Sequence, residues 1–229
     1  MNQYPLVLVP GLAGSVDEFA AQVEHFSPGR LVRAIEPFRD GDLSVDGQAR
    51  RLAELLIKEG IERCGVVGHS HGGLVALSLA VHHPGLVAGL VLLDTPVLLP
   101  KPLRLLARLP LAILRTPLGP AAIRRFFTAT FTDADSAQWR TTVLARLARV
   151  PRPAVQEIVG GTFTYDSATP LRALTVPTLY IRANIPMKLD RLPVGVRGAS
   201  LPTVGHWPHV HAPQDTNRLI AAYLEGLPR

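Results

Sequence analysis

The sequence CGVVGHSHGGLVALSLAVHH, residues 64–83, joins a short apolar run to a longer one through a glycine-rich turn. The first run, residues 64–67, is typical of a buried β-strand, and the second is long enough for a buried helix. Pro84 and Gly85 end that helix. We therefore predict a strand, a sharp turn and a helix, with Ser70 at the turn.

The alternation of strands and helices continues on both sides of this stretch. The apolar patterns predict further strands at residues 4–9, 31–35, 86–93, 176–181 and 199–204, and helices at 15–26, 44–59 and 213–224. Ser15 and Glu18 have the spacing of a capping box at the start of the first of these helices. Because almost wholly apolar strands that alternate with helices form parallel sheets covered on both faces, we predict an α/β fold.

Residues 97–170 interrupt this pattern with prolines and short helical patches. We predict a core at residues 1–96 and 171–229 with a helical lid at 97–170. Residues 97–152 contain nine arginines and one lysine against two aspartates, a net charge of +8, whereas the rest of the chain carries −2. We interpret these arginines as solvated helix faces. The alternative is a basic lid that attracts an anionic substrate, an acidic carrier protein or a membrane surface.

Composition excludes several classes of protein. With 47% hydrophobic and 18% charged residues, the bulk of the chain is not disordered. Cys64 is the single cysteine, so no intrachain disulfide is possible, and we expect a protein of the cytoplasm. Charges and prolines interrupt the most apolar stretch, residues 97–114, so we expect no transmembrane segment. The basic residues lack the aromatic interleaving of a nucleic-acid binder.

Ser70 lies in a G-x-S-x-G pattern between a predicted strand and a predicted helix. Glycine-rich turns also contain structural serines, but this placement favours a nucleophile. A serine hydroxyl needs a base, and His206 is the best-placed histidine because it follows the last predicted strand, at the edge of a parallel sheet where sites form. The other histidines are adjacent to the serine or lie on helices or beyond that loop (His25, His69, His71, His82, His83, His209, His211).

The chain resembles the α/β-hydrolase superfamily, in the lid-bearing branch that contains short esterases and lactonases. The resemblance is carried, in order along the chain, by VLVPGLAGS, GHSHGG, GLVLLDTP, VPTLYI and VGHWPHVHAP. It implies that Ser70 is the nucleophile and His206 the general base. It also implies that the backbone N–H groups of Leu12 and His71 form the oxyanion hole.

The acid of the triad departs from the superfamily's common pattern. The usual aspartate would stand nine residues beyond Pro177, where this chain has Pro186. A minority of the superfamily has its acid after the strand that follows the nucleophile helix, and Asp94 occupies that position here. We expect Asp94 to be the acid, with Asp190 as the alternative.

These residues together predict a serine hydrolase that cleaves a carboxylic ester or lactone of a moderately hydrophobic small molecule through an acyl-enzyme. Two alternatives stay open on the same fold. One is proton abstraction by the histidine–carboxylate pair, as in a lyase, cyclase or cofactor-free oxygenase, and the other is a non-catalytic ligand receptor. We expect no cofactor and no catalytic metal, although the spacings of His206, His209 and His211 and of His69 and His71 could suggest one.

Overall fold

The computed structural model describes residues 4–99, 112–185, 187–201 and 204–227. They contain a six-stranded sheet with strand order β2-β1-β3-β4-β5-β6, in which all neighbouring strands are parallel. The strands are β1 Leu6–Val9, β2 Val32–Ala34, β3 Cys64–His69, β4 Val87–Leu93, β5 Thr178–Arg182 and β6 Val196–Ser200.

Helices connect these strands. They are α1 Ala20–Phe26, α2 Val45–Lys58, α3 His71–His82, α4 Gly119–Thr130, α5 Ala137–Arg149, α6 Arg152–Thr164, α7 Ala168–Ala173, α8 Pro208–His211 and α9 Pro213–Glu225, with 3₁₀ helices at Val16–Phe19 and Leu189–Arg191. The predicted α/β fold with a mostly parallel sheet is confirmed. No helix in the described ranges is both long enough and apolar enough to span a membrane.

Alternating side chains of the central strands divide the core between the two faces of the sheet. In β1, Val7 and Val9 pack on one face, with α2 and α3, while Leu6 and Leu8 pack on the other, with α1 and α9. Strands β1, β3 and β4 are buried along their whole length. This explains their continuous apolar sequences, which made them easy to predict.

The predicted strand at 199–204 is wrong in position, since β6 is Val196–Ser200. Its register is fixed by β5, where Arg182 lies opposite Ser200. β6 is the edge strand of the sheet and contains no fully buried residue. The sequence of β6 is therefore only weakly apolar, and the more apolar residues that follow it led to the misplaced prediction.

The predicted capping box at Ser15 and Glu18 is also wrong. The Ser15 side chain caps no helix N–H group, and residues Val16–Phe19 form a 3₁₀ turn. Glu18 is 4% exposed and lies beside two histidines from distant parts of the chain. These tertiary contacts replace the local interaction that the spacing indicated.

The segment between β4 and β5 contains helices α4 to α7. The predicted boundary at residue 170 falls inside α7, whose Leu171 packs into the sheet core together with Val97. A separate apolar cluster includes Ile123 and Phe127 of α4 and Val143 of α5. Residues 100–111 of the predicted lid lie outside the described residues.

Candidate active site

Ser70 forms a strained turn between β3 and α3. Its φ of 52° and ψ of −121° lie in a region that residues with a side chain rarely adopt. The turn is possible because a strand and a helix come very close there. A Cβ atom at Gly68 would lie 2.5 Å from the carbonyl oxygen of Gly72, and one at Gly72 would overlap the carbonyl oxygens of residues 9 and 10. The absence of side chains at these glycines thus lets the strand and the helix approach closely enough to form the strained serine turn.

The imidazole of His206 lies between Ser70 and Asp94. Its Nε2 is 3.0 Å from Ser70 Oγ, and its Nδ1 is 2.7 Å from Asp94 Oδ2. A carboxylate can only accept a hydrogen bond, so Nδ1 donates and Nε2 can accept from the serine hydroxyl. Burial lowers the pKa of His206 below its usual value, although the hydrogen bond to Asp94 raises it. The ring is therefore neutral near pH 7 and can take up a proton.

Asp94 follows β4 directly and is fully buried. Its backbone has a φ of 41°, which is unusual for a residue with a side chain. Its Oδ1 accepts hydrogen bonds from the N–H groups of Ala183 and Ile185, at 2.8 and 3.1 Å. Burial raises the pKa of Asp94, but the hydrogen bonds from His206 and the two amides together lower it by more, so the pKa lies below its usual value. The carboxylate is fixed in place and charged.

Asp190 is not brought to this place. It is exposed on the 3₁₀ turn Leu189–Arg191. The structure thus brings Ser70, His206 and Asp94 together and leaves Asp190 on the surface.

Leu12 and His71 lie on either side of the serine. Leu12 follows β1, and a Cβ atom at the preceding Gly11 would lie 3.1 Å from the Cβ of Ser70. His71 is the first residue of α3, so its N–H group has no acceptor within that helix. Both residues line a cavity together with Ser70. Their N–H groups belong to the turns that surround the serine hydroxyl.

The side chain of His71 anchors this turn to α6. Burial lowers the pKa of His71 to about 4, so the ring is neutral. Its Nε2 accepts from the amide of Gln48 at 2.9 Å, and its Nδ1 donates to Thr162 Oγ1 at 2.8 Å. The Thr162 hydroxyl in turn donates to the carbonyl of Ile158. Both ring nitrogens are therefore already hydrogen-bonded within the protein.

A cavity of about 290 Å³ opens above Ser70 and His206. Its walls are mostly apolar, and several come from the segment between β4 and β5 (Pro96, Leu99, Phe126, Phe127, Val159, Phe163). Trp207 and Leu12 complete the wall near the serine. The arrangement can hold a small apolar group next to the Ser70 hydroxyl.

Residues 6–219 match the family model described as "Alpha/beta hydrolase family". The chain belongs to this family. The hydrolase is 24% identical over 253 residues to the sn-1-specific diacylglycerol lipase ABHD11 of Mus musculus, a match covering 96% of this chain and 80% of that protein. It spans about a third of the length of several other curated relatives that it matches.

Solved structures share the fold of this α/β hydrolase. An esterase from Thermogutta terrifontis superposes with a TM-score of 0.81 at 20% identity, over 98% of this chain and 90% of that one. An enol-lactonase from Burkholderia xenovorans LB400 superposes with a TM-score of 0.81 at 18% identity, over 98% of this chain and 92% of that one. At these identities the likeness shows the fold alone.

Sequence reasoning missed one part of the hydrolase's site. His69, expected only to flank the serine, has its ring centroid 4.8 Å from that of His206, and its Nε2 is 2.8 Å from the His206 carbonyl oxygen. Glu18 and His209 lie behind it. The three residues come from separate segments, so no local pattern could have found them.

The histidines whose spacings could suggest a metal site have different partners in the structure. His71 is bonded to Gln48 and Thr162, and His211 lies 2.8 Å from Asp135. Potential ligand atoms instead meet at Glu18, His69 and His209, all within 4.8 Å of one another. Among the described residues, therefore, neither of the spacings that could suggest a metal forms a ligand set by itself.

Proposed function

We propose that this α/β hydrolase is a serine hydrolase that cleaves a carboxylic ester or lactone of a moderately hydrophobic small molecule through an acyl-enzyme. The observation that carries the proposal is the continuous row of hydrogen bonds from Ser70 through His206 to Asp94. In it the hydroxyl faces a neutral imidazole whose other nitrogen is bound to a buried carboxylate. This arrangement activates a serine for attack on an acyl carbon.

In the first half of the reaction, Ser70 Oγ attacks the carbonyl carbon while His206 Nε2 takes its proton. The carbonyl oxygen becomes negatively charged, and the N–H groups of Leu12 and His71 donate to it. Asp94 stabilises the imidazolium that forms. The bond to the leaving alkoxide then breaks as His206 returns the proton to that oxygen, leaving the acyl group on Ser70.

In the second half, water takes the place of the alcohol. His206 accepts a proton from the water, whose oxygen attacks the acyl carbon. The bond to Ser70 Oγ breaks, the proton returns to that oxygen, and the carboxylic acid leaves. The N–H groups of Leu12 and His71 stabilise the second oxyanion as they do the first.

We further propose that residues 97–170 act as the lid of this site. Helices α4 and α6 supply Phe126, Phe127 and Phe163 to the cavity wall above the serine. An apolar wall favours an apolar acyl or alkyl group, because its contact area with water is removed on binding. The volume of about 290 Å³ limits that group to a small molecule.

A fluorophosphonate probe tests the nucleophile. We expect one covalent adduct per chain, located by peptide mass spectrometry on Ser70, together with hydrolysis of p-nitrophenyl esters of short fatty acids. Ser70→Ala should abolish the adduct and lower kcat at least about 10³-fold, since a triad serine contributes a factor of this order or more.

Ser78→Ala is the matched control, because this buried serine lies on α3 outside the site. It should be labelled and active like the parent chain. Full esterase activity in Ser70→Ala would refute the proposed mechanism. Tight binding of an ester with neither labelling nor turnover would favour the receptor, and turnover of a substrate without labelling would favour proton abstraction.

A further inference from the structure

Three buried side chains form a polar cluster behind His206, and the proposed reaction does not use them. Glu18 Oε1 is 3.6 Å from His69 Nδ1 and 3.5 Å from His209 Nε2, and all three side chains are at most 2% exposed. We call Glu18, His69 and His209 the rear cluster. Burying a carboxylate without a compensating partner is costly, so the cluster needs an explanation.

The hydrogen atoms of the rear cluster follow from its contacts. His69 Nε2 must donate to the His206 carbonyl, because a carbonyl oxygen can only accept. Burial raises the pKa of Glu18, but its contacts with His209 and His69 lower it more, to about 2, so Glu18 is a carboxylate. Glu18 Oε1 faces His69 Nδ1 at 3.6 Å, a packing contact longer than a hydrogen bond. Glu18 therefore confines the His69 ring on the side away from the His206 carbonyl.

We propose that Glu18 and His69 are positioning residues for the general base. Glu18 orients the His69 ring, and His69 holds the backbone carbonyl of His206 through its Nε2–H. Asp94 holds the side chain of His206, and the bond from His69 holds its main chain as well. The inference rests on the proposed function, since it assigns the rear cluster to the same reaction.

The surroundings of the rear cluster support a fixed loop. The Gln22 side chain donates to the carbonyl of His209 at 3.2 Å and to Asn217 Oδ1 at 2.9 Å, which ties α8 to α1 and α9. The ring of His209 stacks on Phe19 with 4.7 Å between centroids. Trp207, the residue after His206, stacks on Phe131, which lies in the proposed lid at residues 97–170. The His206 loop is thus held from several sides, and the ring of His69 lies 4.8 Å from that of His206 between centroids.

Charge favours a cluster without a metal ion. Glu18 contributes the one carboxylate of the cluster. A divalent cation held by Glu18 and the two rings would leave a net positive charge in a place with almost no access to water, which is unfavourable. The metal is therefore an outcome to be tested and not the proposal.

Two pairs of variants test the assignment by loss and rescue. His69→Phe keeps the volume of the ring but removes the donor, and we expect kcat on p-nitrophenyl esters to fall about tenfold or more with KM within twofold. His69→Gln restores a side-chain N–H donor and should recover most of that loss. Likewise Glu18→Leu should lower kcat, while Glu18→Gln, whose amide can still bind His69 Nδ1, should lower it less.

Asp17→Asn is the matched control, because Asp17 is exposed on the same turn as Glu18. It should leave kcat and KM unchanged. Circular dichroism and a thermal melt identify any variant that fails to fold. A second measurement, on the variants that fold, follows the downfield proton NMR signal of the His206–Asp94 hydrogen bond, which should shift in His69→Phe, shift less in His69→Gln and be absent in Asp94→Asn.

These outcomes separate this inference from the proposed function. If the parent chain is not labelled at Ser70, the proposed function fails, but the NMR signal still reports whether His69 positions His206. If labelling succeeds and His69→Phe matches the parent chain in kcat and in the NMR signal, the positioning role is refuted alone. One equivalent of zinc that the parent chain retains through dialysis and Glu18→Gln loses would also overturn it, since the rear cluster would then be a metal site.

Discussion

Asp94 is the single residue on which the proposed triad most depends. In Asp94→Asn the Oδ1 atom can still accept from Ala183 and Ile185, so the fold of the loop is preserved. The new amide would then face His206 Nδ1 with its own hydrogens, which favours the wrong tautomer of the ring. We expect kcat to fall about 10³- to 10⁴-fold. Steady-state kinetics on a p-nitrophenyl ester measure this loss.

Asp190→Asn is the control for this prediction. The residue is an exposed aspartate at the position of the alternative acid, and its loss should change kcat less than twofold. A severe loss in Asp190→Asn with an active Asp94→Asn would reverse the assignment.

The residues of the site differ in how far the sequence could predict them. Ser70 was predictable because its turn has a local glycine pattern, and His206 because it lies on a loop at the carboxyl edge of the sheet. Asp94 came from a family pattern that left Asp190 open, since spacing alone does not show which carboxylate reaches a ring. The positioning role proposed for Glu18 depends on contacts between three segments that meet only in the folded chain.

At the level of elements, α4 and α6 determine the size of the cavity. Phe126 of α4 and Phe163 of α6 meet edge to face, with 5.3 Å between ring centroids, in the cavity wall. Phe163→Ala removes one ring and should extend the cavity beneath α4. We expect kcat/KM to rise for p-nitrophenyl esters of medium-chain acids relative to acetate, by about three- to tenfold, because each added methylene then finds apolar contact.

Leu118→Ala is the control for the cavity prediction, because Leu118 is 69% exposed on the same segment and does not line the cavity. Its chain-length profile should match that of the parent chain. An unchanged profile in Phe163→Ala would show that α6 does not bound the acyl group.

The sequence predicted that the arginines of the proposed lid form solvated helix faces, and this describes only some of them. Arg140 donates to the carbonyls of Thr132 and Asp135, and Arg152 donates to those of Leu114 and Thr116. These arginines close turns between helices. Arg140 is half-buried, whereas Arg152 and others such as Arg124 are exposed. Binding of an acidic carrier or an anionic surface remains a prediction for the exposed arginines only.

The elements were predicted best where burial is continuous. The strands β1, β3 and β4 follow from their apolar runs because they are buried along their whole length, and the helices α2, α3 and α9 follow from apolar period and length because each buries an apolar face. The edge strand β6 was misplaced because one side of it faces solvent. Between β4 and β5, helices α4, α5 and α6 share an apolar cluster separate from the sheet core, so their boundaries leave little trace in the sequence.

The molecule as a whole combines buried histidines and buried carboxylates, and this makes its stability depend on pH. Burial lowers the pKa of His71 and of His209 from 6.5 to about 4. Their unfolded forms therefore bind protons between about pH 6.5 and pH 4 while the folded forms do not, and stability falls as pH falls through that range. Glu18 adds to this, because stability from its lowered pKa is present above 4.5 and lost as pH falls towards about 2.

We therefore expect the free energy of unfolding, measured by urea denaturation, to decrease steadily from pH 7 to pH 4. His71→Gln should lower stability at pH 7, because the hydrogen bonds to Gln48 and Thr162 are changed, but it should also make the decrease with pH smaller, by roughly 3 kcal/mol between pH 7 and pH 4. His25→Gln, at an exposed histidine of α1, should leave the decrease unaltered. If instead the free energy of unfolding stays constant over this range, His71 takes up a proton without opening the fold. A neutral ring could then not be what holds α6 to the serine turn.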